Sequence, residues 1–507
     1  MNKHFQHTVY LQKAVTKVKS TPFRTAIKMI SSGGLLLACQ SIYAANALAP
    51  YSSLGGTGLE TAIANPAQLS ANQKLGYSSK VGVGFNGGVA LEYGNVDEIF
   101  KIIDTISYYL SDKDDGSSPP EPPPEALPPQ PGNLPYQPTI EDIINNNPEY
   151  VEWFDALQKQ ATFLASALAI ISQESYAKGY ADFDGQLLIS HNIYGGSLAF
   201  GLKRSGLTKA RGILDDFDWN TEEALQVLQD VIELEVDAPR EEFHLSDDIL
   251  LVVDRSNNDL DVKMDNDSLL LTRSSVIQQF HLDYSRQVLD YTSGSLQLGL
   301  RPKIIHAGLS QVDTRFGDIT DSSELVDDIK NADLHYSTKA SLDIGAYWNS
   351  NNYSLGFSVS DLFSPSFAYP AIDRSRYSKS QVLQKIHKTD QWKLSRQSNI
   401  EANIYTTNRR WMLSANTDLE TTSDPMGDLH KWRSIGVQYM HPSRKVPSAR
   451  LGYRTDIARK DLEYISIGTT IAKLVQIDLA STLNTVSIDG KTLPRGMALN
   501  LGFQFNF

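Results

Sequence analysis

Met497-Ala498-Leu499-Asn500-Leu501-Gly502-Phe503-Gln504-Phe505-Asn506-Phe507 is the stretch that decides the fold. Counted in twos from Phe507, one phase is Phe507, Phe505, Phe503, Leu501, Leu499 and Met497. The other is Asn506, Gln504, Gly502, Asn500 and Ala498. A period of two is that of a strand, whose successive side chains point to opposite faces. About ten residues is also the length a tilted strand needs to cross a bilayer. The competing reading is an edge strand of a soluble sandwich, in which the apolar row is normally interrupted and the end frays.

Composition narrows the choice. The chain has 507 residues, 41% of them hydrophobic, and a formal net charge of −13. Mean hydropathy is negative, and no apolar run near 18 residues occurs outside the leader, which excludes helical membrane spans. A barrel passes that test, because each strand shows lipid only every second residue. An acidic balance of 59 Asp and Glu against 46 Lys and Arg argues against a nucleic-acid surface, which needs clustered cations. The single cysteine, Cys39, leaves no disulfide framework, and ten scattered histidines give no metal spacing.

The leader carries Lys3, Lys13, Lys17, Lys19, Arg24 and Lys28 with no acid before Met29. An apolar stretch to Ala38 and the small residues Ala44-Ala45-Asn46-Ala47 follow. Basic, apolar, then small reads as a signal peptide over residues 1–47. The rival is a lipobox, Leu36-Leu37-Ala38-Cys39, which would acylate Cys39. Both readings predict export.

Residues 48–74 contain Gly55-Gly56-Thr57-Gly58 and Asn65-Pro66-Ala67. A phosphate loop is excluded for want of the following lysine and a preceding buried strand. Glycines allow tight turns and Asn-Pro fixes a bend, as an inward-folded segment requires. Residues 75–93 form a glycine-rich first strand, and residues 94–182 form an insertion. Within it Ile99, Ile102, Ile103, Ile106 and Tyr109 recur at helical spacing, and ten prolines fall between Ser117 and Pro138. Tyr150, Phe154, Leu157, Ala161, Leu164, Leu168 and Ile171 then step by four and three. That helix either docks a partner or packs on its own protein.

Strands return over residues 183–507. They are read at 183–191, 194–203, 276–284, 295–301, 339–348, 353–361, 398–407, 410–419, 433–441, 447–454, 463–471, 474–484 and 496–507. With the first strand these make about fourteen. Tight turns such as Asn408-Arg409 and Ala472-Lys473 alternate with longer charged connections, among them the loop 204–275 with a helix over 220–236. Short turns at one end and long loops at the other are barrel architecture. The predicted fold class is an all-β transmembrane β-barrel of about 14 antiparallel strands with a hatch-like N-terminal segment and a helical, Pro-rich insertion.

Motifs that carry chemistry are few. Asp489-Gly490-Lys491-Thr492 has the tail of a nucleotide loop, but Thr485 stands where its first glycine belongs, so Asp-Gly is turn chemistry. Asp254, Asp259, Asp261, Asp265 and Asp267 lack the glycine and glutamate of a calcium loop and read as a solvated acidic loop. No Gly-x-Ser-x-Gly elbow occurs. No catalytic residue, metal or cofactor is expected, and the chain reads as a non-enzyme.

The apolar row ending on Phe507 resembles the C-terminal signature of bacterial outer-membrane barrels, in which Phe503, Phe505 and Phe507 would engage the assembly machinery. The Gly-Gly-x-Gly and Asn-Pro-Ala segment resembles that of long-chain fatty-acid transporter-type barrels and of TraF-type conjugal transfer outer-membrane proteins. The transporter resemblance implies a lumenal hatch formed by Gly55, Gly56, Gly58, Asn65 and Pro66. The insertion after the first strand and the acidic loops resemble the TraF type. That implies a Gram-negative outer-membrane component, non-catalytic and accessory to plasmid or element transfer. The alternative is a channel for hydrophobic small molecules. Expected partners are outer-membrane lipid, the assembly machinery and an envelope or recipient-cell protein at 94–182, with no direct nucleic acid. An even strand number puts 94–182 and 204–275 on the outer side.

Overall fold

The alternation of the terminal stretch persists in three dimensions, with its apolar side turned outward. In the computed structural model β23 (Gly496–Asn506) points Met497, Leu499, Leu501, Phe503 and Phe505 away from the interior, each at least 37% exposed. Asn500, on the opposite phase, is 7% exposed. The structure describes residues 64–71, 82–94, 152–159, 161–163, 166, 176–215, 219–233, 240–246, 248–254, 259–264, 266–316, 332–377, 380–387, 390–459, 462–488 and 491–506. The leader, Gly55, Gly56, Gly58, the Pro-rich stretch and Phe507 lie outside these.

β23 pairs with β1 (Gly82–Tyr93) on one side and β20 (Val475–Thr482) on the other. From β1 the order runs through β2 (Tyr176–Ile193), β3 (Gly196–Ile213), β7 (Leu269–Tyr291), β8 (Gly294–Arg315), β9 (His335–Asn349) and β10 (Tyr353–Ser360). It continues through β13 (Gln397–Tyr405), β14 (Trp411–Asp418), β17 (Trp432–Tyr439), β18 (Ser448–Asp456) and β19 (Glu463–Ile471) back to β20 and β23. The result is a closed, antiparallel, 14-stranded barrel, as expected. Closure leaves the membrane-crossing part of the sheet without an open edge, as lipid demands.

Phe85, Phe200, Phe280, Leu300, Ile467 and Leu501 are among the exposed apolar side chains of the outer surface. Near the short-turn end aromatic pairs form, Tyr291 with Trp348 (6.4 Å between rings) and Trp411 with Tyr439 (5.0 Å). Aromatic rings at that level suit a membrane–water interface. Tyr194-Gly195 makes a two-residue turn, both residues with positive φ (51° and 71°), and Ala472-Lys473 repeats the device (54° and 58°).

Strand length is uneven. β7 has 23 residues and β8 has 22, whereas β10, β14, β17 and β20 have eight each. At about 3.3 Å per residue the longest strands stand far above a hydrocarbon core of roughly 30 Å. The sequence reading placed β7 at 276–284 and β8 at 295–301, so the upper halves are a correction to those bounds. β2 likewise begins at Tyr176, inside the segment assigned to the insertion, and β3 continues ten residues past 203. The physical reason is visible in Leu269-Leu270-Leu271, all 6% exposed or less. With both faces covered, a strand loses its alternation.

At the loop end an outer module is inserted between β3 and β7. Its sheet is β4 (Arg240–Ser246), β5 (Ile249–Asp254) and β6 (Asp259–Met264). Beside it lies the helix Thr221–Glu233, capped by Asn220, whose Oδ1 accepts from Glu222 N (3.0 Å). Trp153, Phe154, Leu157 and Ala161, from the helical stretch 152–163, share a core with Ala224, Leu245, Ile249, Leu251 and Val253. Among the described residues, the seam positions Phe154, Leu157 and Ala161 therefore pack on the protein itself; Tyr150, Leu164, Leu168 and Ile171 lie outside them.

Candidate functional site: the lumen and its closures

Three sets of residues fill the barrel interior, and each begins with residues on the inward phase of a strand. The lowest is residues 64–71. Asn65 bends the segment by accepting from Ala67 N at its own Oδ1 (3.0 Å). Its Nδ2 donates to the carbonyls of Ala346 (3.2 Å) and Phe357 (3.4 Å). The segment lies flat against the wall because Gly299 and Gly345 leave room. A Cβ on Gly345 would fall 2.1 Å from Asn65 Oδ1, and one on Gly299 would fall 2.3 Å from the Pro66 carbonyl carbon. Ser285 Oγ donates to Ala67 O (2.8 Å) and meets Ser70 Oγ (2.6 Å), while Gln68 Nε2 donates to Glu401. Leu69 packs on Leu188 and Ala199. Of the hatch candidates, Asn65 and Pro66 thus lie in the lumen, and the three glycines lie outside the described residues. Sequence reading missed Ser285, Glu401 and the two wall glycines, whose partners are more than 200 positions away.

The middle set is a belt of charge. Arg301 pairs with Asp283 through Nε and stands 3.7 Å from Asp343, and Lys303 bridges Asp343 (2.7 Å) and Asp361 (2.9 Å). Gln186 Nε2 donates to Asp283 (2.7 Å). Asp184 and Lys203 face each other across β2 and β3, with Asp182 two residues along. All of them keep less than 9% exposure, a polar interior inside an apolar exterior.

The top set closes the loop end in two ways. The connection 361–396 lies across the mouth. In it β11 (Ser366–Ala368) pairs with β12 (Gln391–Lys393), and Phe367 stacks on Trp392 at 5.4 Å. These rings pack on Ile277, Ile305, Ala307 and Leu309 of the tall wall. The helix Ser380–His387 adds Val382 and Ile386 against Ile213, Leu269 and Leu271. Each such side chain contributes about 1.5–3 kcal/mol of burial.

Beside this lid, β15 (Thr422–Ser423) and β16 (Leu429–His430) form a hairpin held by ions. Lys178 Nζ binds both Asp424 and Asp428 (2.6 Å to the latter), and Lys209 binds Asp428 (2.5 Å). His430 Nδ1 meets Asp456 (2.6 Å), and Nε2 faces Asp424 (3.4 Å). Burial opposes charge on His430, but hydrogen bonds to Asp424 and Asp456 outweigh it and hold its pKa above the ordinary 6.5. Burial would raise the Asp424 and Asp428 carboxyls, yet Lys178 foremost holds both below the ordinary 3.8. Asp424, Asp428 and His430 could in principle ligate a metal, their donor atoms lying within 4.8 Å of one another. Here the Lys178 ammonium stands between the two carboxylates and supplies the cation.

The remaining sequence motifs fall elsewhere. Phe503 and Phe505 face outward at 45% and 38% exposure. The Asp489-Gly490 pair connects β21 (Thr485–Ile488) to β22 (Lys491–Pro494), which pair antiparallel; the two turn residues lie outside the described residues. Of the acidic loop, Asp267 binds Arg315 (3.0 Å), and the side chains of Asp254, Asp259, Asp261 and Asp265 lie outside those described.

An apolar-faced barrel with a polar, filled lumen defines the class: a β-barrel of the outer-membrane type. The family model described as "F plasmid transfer operon, TraF, protein" matches residues 62–418, and the chain belongs to that family. No curated protein matches it. Among solved structures, similarity is found to the "TodX deltaS2S3 mutant monoaromatic hydrocarbon channel", at 11% identity over 89% of this chain and 95% of that one, TM-score 0.42. A FadL homologue from Pseudomonas aeruginosa matches at 11% identity over 90% and 95%, TM-score 0.37. The "CymD monoaromatic hydrocarbon channel" matches at 9% identity over 92% and 97%, TM-score 0.29.

Proposed function

We propose that the protein is a non-catalytic, accessory component of the Gram-negative outer membrane in plasmid or element transfer. Its working surface is the outer module, and its lumen does not conduct DNA. The reading rests on one observation above others: the interior holds the Asn65–Ala71 segment at one end and the lid and hairpin at the other, each fixed by specific bonds, with the charged belt of the wall between them. A single strand would need a continuous basic path with stacking aromatics. The belt instead sets Asp182, Asp184, Asp283 and Asp343 against Lys203, Arg301 and Lys303. The short-turn end faces the periplasm and the loop end faces outward. The partner is an envelope or recipient-cell protein met by the module that contains Trp153, Phe154 and the Thr221–Glu233 helix; membrane lipid and the assembly machinery, at Phe503, Phe505 and Phe507, serve the barrel itself.

The rival, a channel for hydrophobic small molecules, is favoured by the inward-folded Asn65–Ala71 segment. The two are separated by excising 95–171 together with 219–264, which keeps all fourteen strands. Loss of mating efficiency with hydrophobic uptake unchanged is the expected result. Unchanged mating, together with uptake altered by Gly345→Leu, would transfer the assignment to the channel.

A further inference from the structure

The charged belt is not balanced. Among the described residues Asp182, Asp184, Asp283, Asp343 and Asp361 share it with Lys203, Arg301 and Lys303, five carboxylates against three cations with His281 counted as neutral. One surplus carboxylate falls in each half, Asp283, Asp343 and Asp361 against Arg301 and Lys303, and Asp182 and Asp184 against Lys203, but the two halves differ in how they are bonded. Asp283, Asp343 and Asp361 are bonded to Arg301 or Lys303, whereas both oxygens of Asp184 and Oδ1 of Asp182 have no hydrogen-bond partner. The hairpin cluster differs, since Lys178 and Lys209 cover its carboxylates.

Neutral oxygens converge on the same stretch of wall. Asn86 lies opposite Asp184 in the β1–β2 register, and Gly88 lies between Asp182 on one side and Asn500 on the other. Asn86 Oδ1 and both side-chain polar atoms of Asn500 lack partners, although the two residues are only 8% and 7% exposed. Gly88 opens the space between them. A Cβ there would stand 2.9 Å from Asp182 Oδ1 and 3.3 Å from Asn500 Oδ1. Buried polar atoms are ordinarily paired, and buried charge is ordinarily compensated. A set of carboxylate and amide oxygens without nitrogen or sulfur ligands is the donor set of a hard divalent cation. We propose that the lumenal wall of β23, β1 and β2 binds one such cation, of the Ca2+ or Mg2+ class, through Asp182, Asp184, Asn86 and Asn500. It fixes the charge balance of the belt above the inward-folded segment.

The test is equilibrium dialysis or calorimetric titration of Ca2+ into the purified full chain in detergent, with folding checked by heat-modifiable mobility. About one equivalent is expected to bind. Asp182→Asn with Asp184→Asn should weaken binding on the order of tenfold or more, because affinity follows ligand charge. Asn500→Ala should weaken it without changing net charge, which binding to surface acids would not register. Lys203→Gln should tighten it, the opposite of what general damage to the fold produces. A folded wild-type barrel that binds no Ca2+ or Mg2+ overturns the proposal, as does binding unchanged in both Asn500→Ala and Lys203→Gln. Should the double aspartate variant not fold, those last two decide.

Discussion

The lid 361–396 and the hairpin 419–431 close the same mouth by opposite means. The lid is apolar: Phe367, Trp392, Val382 and Ile386 press on a wall whose inward face is itself apolar at Ile277, Ile305, Leu269 and Leu271. The hairpin is ionic: Asp424, Asp428 and His430 meet Lys178, Lys209 and Asp456. The difference follows strand height. The lid packs on the upper parts of β3, β7 and β8, whose inward face resembles a soluble core. The hairpin reaches toward the polar lumen, where Lys178 and Lys209 meet its carboxylates; Met426 packs among Ala90, Tyr180 and Leu207, and Tyr369 and Trp392 of the lid donate to the Pro425 and Ser423 carbonyls. Apolar packing is indifferent to pH and tolerant of small trimming, whereas buried ion pairs fail sharply when one partner is removed.

The largest expected effect is therefore on the hairpin. Lys178→Met leaves Asp424 and Asp428 facing each other without the ammonium that joins them. Removing one partner of a buried pair costs about 3–5 kcal/mol. The hairpin should leave the mouth while lid and barrel persist. Protease accessibility at 422–430 in the folded variant measures this. Protection equal to wild type would show that the ion pairs do not hold the hairpin.

The two closures also differ in how far the sequence disclosed them. The barrel was legible because each lipid-crossing strand must alternate; Met497 to Phe505 and Ile465-Ile467-Thr469-Ile471 carry that signal locally. The tall wall was hidden where Leu269-Leu270-Leu271 is covered on both faces and alternation vanishes. Asn65-Pro66 stood out because Asn-Pro is a local bend. Its receptors Gly299, Gly345 and Ser285 did not, since a glycine or serine in a strand gives no hint of a contact so far along the chain. The hairpin residues Asp424, Asp428 and His430 read only as a charged loop, because their partners Lys178 and Lys209 come from strands more than 200 residues earlier. Asp456, a nearer partner, lies across β17 and β18.

A smaller perturbation sharpens the contrast from the lid side. Ile386→Val removes one methylene from a side chain 2% exposed against the tall wall. The expected loss is about 0.5–1.5 kcal/mol of lid stability, with hairpin protection unchanged. Amide exchange of Tyr369 and Leu394, which donate to Asp390 O (2.9 Å) and Pro365 O (2.8 Å), reports the lid. A change spreading to the hairpin amides would mean that lid and hairpin open as one unit.

The smallest effect expected is a graded response to pH, confined to the hairpin. His430 has its pKa held above 6.5, so its stabilising contribution is complete below 6.5 and is lost as pH rises through the raised value. Asp424 and Asp428 have theirs held below 3.8, so their contribution is present above 3.8 and is lost as pH falls through the depressed values. The hairpin is thus firmest between 3.8 and 6.5 and loosens on the alkaline side first. Lys178 and Lys209 face the same carboxylates, Asp456 holds the other imidazole nitrogen, and the lysines keep part of the anchorage after His430 discharges. The reporters are the amides of Met426 and Asp428, which donate to Asp424 Oδ1 (2.9 Å each), and of Lys431, which donates to Asp456 Oδ1 (2.8 Å). Their exchange, corrected for intrinsic rate, should accelerate between pH 6 and pH 9, whereas that of Tyr369 and Leu394 in the lid should not. His430→Gln should abolish the alkaline step. If lid and hairpin amides accelerate together, or the step survives His430→Gln, the division between an apolar and an ionic closure fails.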